Sequence, residues 1–168
     1  MAIIYGMQKN FLIIFAVIFA IGIVLIYLGR GSVKSNTSVQ KQNASATIGG
    51  ETFNLEVVSQ SAAMAQGLSG RDSIGNRDGM LFMFNRPGIQ AFWMKGMKFA
   101  IDIIWIRGNK VMGIDKNVPP PGEGVISSLN LSFYPSPSLI DKVIEVKAGT
   151  ADALKLKTGD TITISFSK

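Results

Sequence analysis

Residues 91–114 read AFWMKGMKFAIDIIWIRGNKVMGI, and their punctuation decides the class of fold. Ala91 to Met94 and Ile101 to Ile106 are short apolar runs with aromatic and β-branched residues, the composition of buried strands. Arg107-Gly108-Asn109 is a turn signal that leads into a further strand from Lys110 to Ile114.

The same texture continues outward in both directions. Gly49-Gly50 is a hairpin-type turn, and Phe53, Leu55 and Val57 alternate with Thr52, Asn54 and Glu56 as in a half-buried strand. Ser61 to Gln66 fits a short helix, capped by Ser61 and stopped by Gly67. Met80 to Phe84 is a continuous apolar run, which Asn85-Arg86-Pro87-Gly88 turns. Val118 to Pro137 holds five of the six prolines and reads as a long ordered loop of the kind that often carries function. Val143 to Val146 is again a strand. Thr150 caps a helix over Ala151 to Lys157 with Asp152 in its first turn, and Ile162, Ile164 and Phe166 alternate in a last strand. The expectation is an α+β, β-rich fold: a compact, barrel-like antiparallel sheet domain with two short helices, preceded by one transmembrane helix.

That preceding helix is read from Phe11 to Leu28, FLIIFAVIFAIGIVLIYL, which contains no charge. At 1.5 Å per residue it reaches about 27 Å, enough to cross a hydrocarbon core. Tyr5 and Tyr27 lie near its ends, where amphipathic rings favour the interface. The run is longer than a signal-peptide core and ends in Tyr27-Leu28-Gly29-Arg30, not in small residues, which favours a retained anchor. Residues 31–47, rich in Ser, Thr, Asn and Gln, read as a flexible polar linker. The division expected is therefore an N-terminal anchor over 1–30, a linker over 31–47 and a globular domain over 48–168, with the lipid bilayer met through residues 11–28.

Charge supports this division. The net charge is +6, and four of those charges, Lys9, Arg30, Lys34 and Lys41, precede Ile48 with no acid among them. The domain itself is nearly balanced, so no nucleic-acid partner is expected. The chain has neither cysteine nor histidine. This excludes thiolate and imidazole zinc sites, Cys–His nucleophiles and Ser–His–Asp triads. No cofactor or metal site is expected. Any catalysis would use carboxylates, lysine, hydroxyls or backbone groups.

Several segments together resemble one family. They are Ala65-Gln66-Gly67-Leu68-Ser69-Gly70-Arg71, Asp78-Gly79-Met80-Leu81-Phe82-Met83-Phe84, and Phe92-Trp93-Met94-Lys95 with Ile101-Asp102-Ile103-Ile104-Trp105-Ile106. Weaker echoes follow at Tyr134-Pro135-Ser136, at Glu145 to Gly149 and at Gly159-Asp160. The chain resembles the DUF192 (UPF0127) family of small, functionally uncharacterised domains across its whole globular part. The family pattern usually continues Phe-Trp-Met-Lys with Asn-Thr, and places a proline just before the Leu-Asp pair. Gly96, Met97 and Ala100 stand there instead. The resemblance implies no established activity. It does imply a secreted or membrane-anchored protein, hence a single-pass protein of the cell membrane with its C-terminal domain outside. The basic residues after Leu28, counted alone, would place that domain inside.

The binding residues expected from the motifs are Arg71, Asp78, Trp93, Lys95, Asp102 and Tyr134; no catalytic residue is assigned. Asp102 interrupts an apolar strand, so it is either a carboxylate in a low-dielectric pocket or a structural receptor for a cation or backbone donors. Lys95 ends the Phe-Trp-Met strand as either a pocket cation or a solvated turn residue. Arg71 could bind an anion, or lock a turn by pairing with Asp78 or Asp102. Three functional expectations follow: a domain binding a small ligand or protein partner at the cell envelope, an envelope-acting hydrolase or transferase using Asp102 and Lys95, or an accessory subunit of a membrane complex.

Overall fold

The computed structural model describes residues 42–122 and 132–167. The expected anchor, most of the expected linker and the middle of the proline-rich stretch lie outside the described residues. Among the described residues, no helix is long and apolar enough to cross a membrane.

Among the described residues, nine strands and two short helices follow in order. They are β1 (Gln42–Ile48), β2 (Glu51–Val58), α1 (Ser61–Gln66), β3 (Asp78–Gly88), β4 (Ala91–Trp93), β5 (Ile101–Arg107), β6 (Lys110–Val118), β7 (Phe133–Pro135), β8 (Ile140–Lys147), α2 (Thr150–Ala153) and β9 (Thr163–Phe166). Seven form one sheet in the order β6-β5-β8-β3-β2-β1-β9, and β4 pairs with β7 in a separate two-stranded sheet.

Two parts of the expected architecture need correction. The sheet is mixed, because β2 and β3 run parallel, joined by the crossover that contains α1. Nor is it closed into a barrel. An isolated bridge between Lys110 and Thr161 links β6 to the chain ahead of β9, and β6 and β9 remain the edges.

The elements follow from the sequence with adjustments: β6 runs on to Val118, β7 is a strand inside the stretch expected to be a loop, and the N-cap of α2 is Gly149 and not Thr150. β1 begins inside the expected linker, since Ala44, Ala46 and Ile48 are buried at every second position. β3 runs through Asn85–Gly88, where the composition signals a turn; its register with β8 shifts between Met83 and Gly88, the kind of irregularity where a strand tolerates Pro87. α2 stops at Ala153, because Lys155 adopts φ +51°. α1 matches its expected span, but its N-cap is Gln60, with no side-chain cap; Gly67 ends it at φ +52°.

The sheet is covered on both faces, which explains the unbroken apolar run in β5. Ile104 and Ile106 face one core with Phe53, Leu55, Leu81, Ile144, Val146 and Ala151 of α2. Ile101, Ile103 and Trp105 face the other core with Leu68, Met80, Phe82, Met94 and Met97, partly covered by Phe92 and Tyr134 of the small sheet. Each large side chain so buried contributes about 1.5–3 kcal/mol. The second core does not extend across the whole sheet. Towards β1 and β2 the same face becomes polar, with Asn54 and Glu56 set opposite to the buried Phe53 and Leu55.

Candidate functional site

Register places a row of side chains across this second face. Glu56 of β2 pairs with Met80 of β3, Met80 with Glu145 of β8, Glu145 with Ile103 of β5, and Ile103 with Asp115 of β6. Paired residues share a face, so three carboxylates lie along one transverse line. Two have evident partners. Glu56 accepts both arms of Arg71, at 2.7 and 2.8 Å. Asp115 accepts the indole N–H of Trp105 at 2.8 Å.

Glu145 differs. It is 5% exposed, and its Oε2 has no hydrogen-bond partner among the described residues. Burial pushes its carboxyl up to about 8, opposed by the positive charge of Arg71. Gly67 brings its backbone close at the end of α1: a Cβ there would lie 3.4 Å from the Phe82 ring and 3.8 Å from Glu145 Oε2.

Glu145 lines a cavity of about 230 Å³ between α1, β3 and β4. Phe82, Phe84, Phe92 and Trp93 supply aromatic wall, Met64 and Met97 supply thioether wall, and Lys95 is also part of the lining. Phe92 holds the wall in place by edge-on contacts with Phe82, 4.8 Å between centroids, and Trp105, 5.5 Å. Trp93 packs against Phe133 at 5.7 Å, and Lys95 Nζ stands 5.5 Å from the Trp93 ring centroid. Apolar walls with a few polar groups are the general form of a small-molecule site.

The six expected site residues do not form one site. Trp93 and Lys95 line the cavity, whereas Tyr134, paired with Phe92 in the small sheet, packs against the second core and is not part of the lining. Arg71 and Asp78 line a separate open groove of about 650 Å³, and Arg71 is bound to Glu56, not to Asp78 or Asp102. Asp102 faces away from both. It is fully buried and accepts backbone N–H groups from Asn117 at 2.8 Å, Gly149 at 3.3 Å and Ala151 at 2.8 Å. That is the structural alternative for this residue, a carboxylate saturated by backbone donors. The structure does not join it to Lys95, which is exposed. No group of acids suited to a metal ion occurs among the described residues.

Motif reading misses Glu145 as a site residue, although its signal matches that of Asp102, an acid inside an apolar strand. Asp102 pairs with Val146 and Ile103 with Glu145, so the two acids occupy adjacent rows and opposite faces. Gly96 and Met97 also take on meaning. Gly96 sits at φ +67°, a conformation open to glycine and, at modest cost, to asparagine. The departure from Asn at this position therefore keeps the backbone shape. Met97 is buried in the cavity wall, so this chain presents a thioether where the family pattern usually has a threonine hydroxyl.

The DUF192 family profile, described as Uncharacterized ACR, matches residues 44–164. The chain belongs to the DUF192 family. Solved structures similar to it include two from bacteria. One is a protein of unknown function from Novosphingobium aromaticivorans, 30% identical, covering 72% of this chain and 83% of its own, with a TM-score of 0.62. The other, from Sinorhizobium meliloti and described as a candidate transcription regulator, is 25% identical, covers 73% of this chain and 92% of its own, and also has a TM-score of 0.62. Among curated proteins, none matches this DUF192 chain.

Proposed function

We propose that this DUF192 domain binds a small ligand in the cavity floored by Glu145, and that residues 11–28 anchor it to a membrane with the domain on the outer side. The observation that carries the binding reading is Glu145, which lines an aromatic-walled cavity while its Oε2 is buried without a hydrogen-bond partner among the described residues. An unmatched buried polar atom costs on the order of 1–3 kcal/mol, and a ligand that pairs with it recovers that cost. The hydrolase or transferase reading needs Asp102 to act with Lys95; it loses support, because Asp102 is sealed and its oxygens already receive three N–H groups.

Thermal-shift screening of the full chain in detergent tests the binding reading, with Glu145→Gln and Met97→Ala in parallel. Compounds that occupy the cavity raise the melting temperature of the native protein and lose their effect in both variants. A library that stabilises all three proteins equally, or none, counts against it. The anchor is tested separately, by extraction from membranes and by protease access to the domain in intact cells.

A further inference from the structure

Resting on that reading, we propose that the cavity takes a small organic cation, a primary or methylated ammonium, whose nitrogen sits against the Glu145 carboxylate while its apolar part lies among Phe82, Phe84 and Phe92. Two independent features carry this. The first is the carboxylate itself, buried with Oε2 lacking a donor among the described residues. An ammonium supplies a donor and a countercharge together, whereas a carboxylate ligand would set two acids against each other.

The second is the wall. Aromatic faces attract cations through their quadrupole, and rings around an acid are a general way of holding an ammonium. The chain already shows this attraction at the cavity, where the ammonium of Lys95 stands 5.5 Å from the Trp93 ring centroid. Met64 and Met97 add soft, adaptable surface suited to methyl groups on nitrogen. The volume, about 230 Å³, admits roughly eight groups of the size of water at about 30 Å³ each. That room suits a short amine.

The surrounding charges set how binding couples to protons. Arg71 opposes a cation, but Glu56 holds both of its arms. Lys95 is the competing ammonium on the lining, and Asp115 is engaged by Trp105. With its pKa raised to about 8, Glu145 is mostly protonated at neutral pH. Docking of an ammonium then breaks the carboxyl O–H bond and releases one proton to solvent. The carboxylate keeps the electron pair and faces the bound cation.

The test is isothermal titration of the full chain in non-ionic detergent at pH 7, using n-butylammonium, tetramethylammonium, n-pentanol and butyrate, in buffers of different ionisation enthalpy. Both cations are expected to bind at least tenfold more tightly than pentanol or butyrate, with release of close to one proton. Glu145→Gln should weaken them at least tenfold. Lys95→Ala, at an exposed position that does not threaten the fold, should tighten them several-fold by removing the competitor. Binding of pentanol or butyrate as tight as that of the cations, or weaker cation binding in Lys95→Ala, would overturn the cation class. Failure of all four probes would do the same. In either case, Glu145-dependent hits in the thermal-shift screen would still uphold a small-ligand site.

Discussion

Glu56 and Glu145 lie on either side of Met80, in register with it from opposite neighbours, and Arg71 binds only the more exposed of the two. The bidentate pair fixes the guanidinium at the edge of the open groove and leaves Glu145 under its longer-range influence. Replacing Arg71 with Met removes the influence that lowers the Glu145 pKa, so that pKa should rise further. Carbon-13 NMR titration of glutamate-labelled protein would read the change. The accompanying loss of stability should be small, about 1 kcal/mol, because both partners remain partly open to solvent.

Glu145 also gives the domain a definite dependence on pH. Its carboxyl is raised from 4.5 to about 8 in the folded protein, mainly by burial. Between those values the native state holds a proton that the unfolded state has lost. This contribution to stability is therefore complete below pH 4.5 and is lost as pH rises through 8, at about 1.4 kcal/mol for each pH unit crossed between the two values. Urea midpoints of the native protein should fall across this window. Glu145→Gln should flatten that slope and leave the variant more stable than the native protein at pH 9. Parallel midpoints for the two proteins would show that the carboxyl does not titrate as its burial requires.

Much of this fold could be read locally, and the errors have local causes. The Gly49-Gly50 turn, α1, β2, β5 and β8 are announced by turn residues and by apolar periodicity. β1 is hidden because alanine carries its buried positions at Ala44 and Ala46, in a composition that resembles a linker. β3 looks finished at Phe84 because Pro87 cannot serve a regular ladder, while a register shift lets the strand continue. The parallel pairing of β2 with β3 and the open edges depend on partners far apart in the chain. The candidate site is half legible for the same reason: Trp93 and Lys95 sit in a distinctive motif, but only the register decides that Glu145 faces their cavity and Asp102 the opposite core.

Gly96 makes a separate, sharper prediction. It adopts φ +67°, and a Cβ there would overlap the hydroxyl of Ser69, which donates to the carbonyl of Lys95 at 2.8 Å. Gly96→Ala combines left-handed backbone strain with that overlap and should cost about 2 kcal/mol. Removing the hydroxyl with Ser69→Ala should recover part of the cost, since the next contact, at 3.6 Å to Ser69 Cβ, is ordinary packing. A double-mutant cycle by chemical denaturation measures this coupling; strictly additive effects would place the strain elsewhere.

Asp102 separates a structural acid from a functional one. Its carboxylate ties three places together: Asn117 near the end of β6, itself at φ +53°, Gly149 in the turn after β8, and Ala151 in α2. Asn at this position keeps the size but offers one oxygen in place of two and points an N–H₂ group at N–H donors. Asp102→Asn should therefore cost about 3 kcal/mol in urea denaturation. Because the side chain lies on the face of β5 opposite to the cavity, the folded variant should bind a cavity ligand with native affinity. A variant that kept its stability but lost binding would return Asp102 to the site and remove the distinction between the two faces.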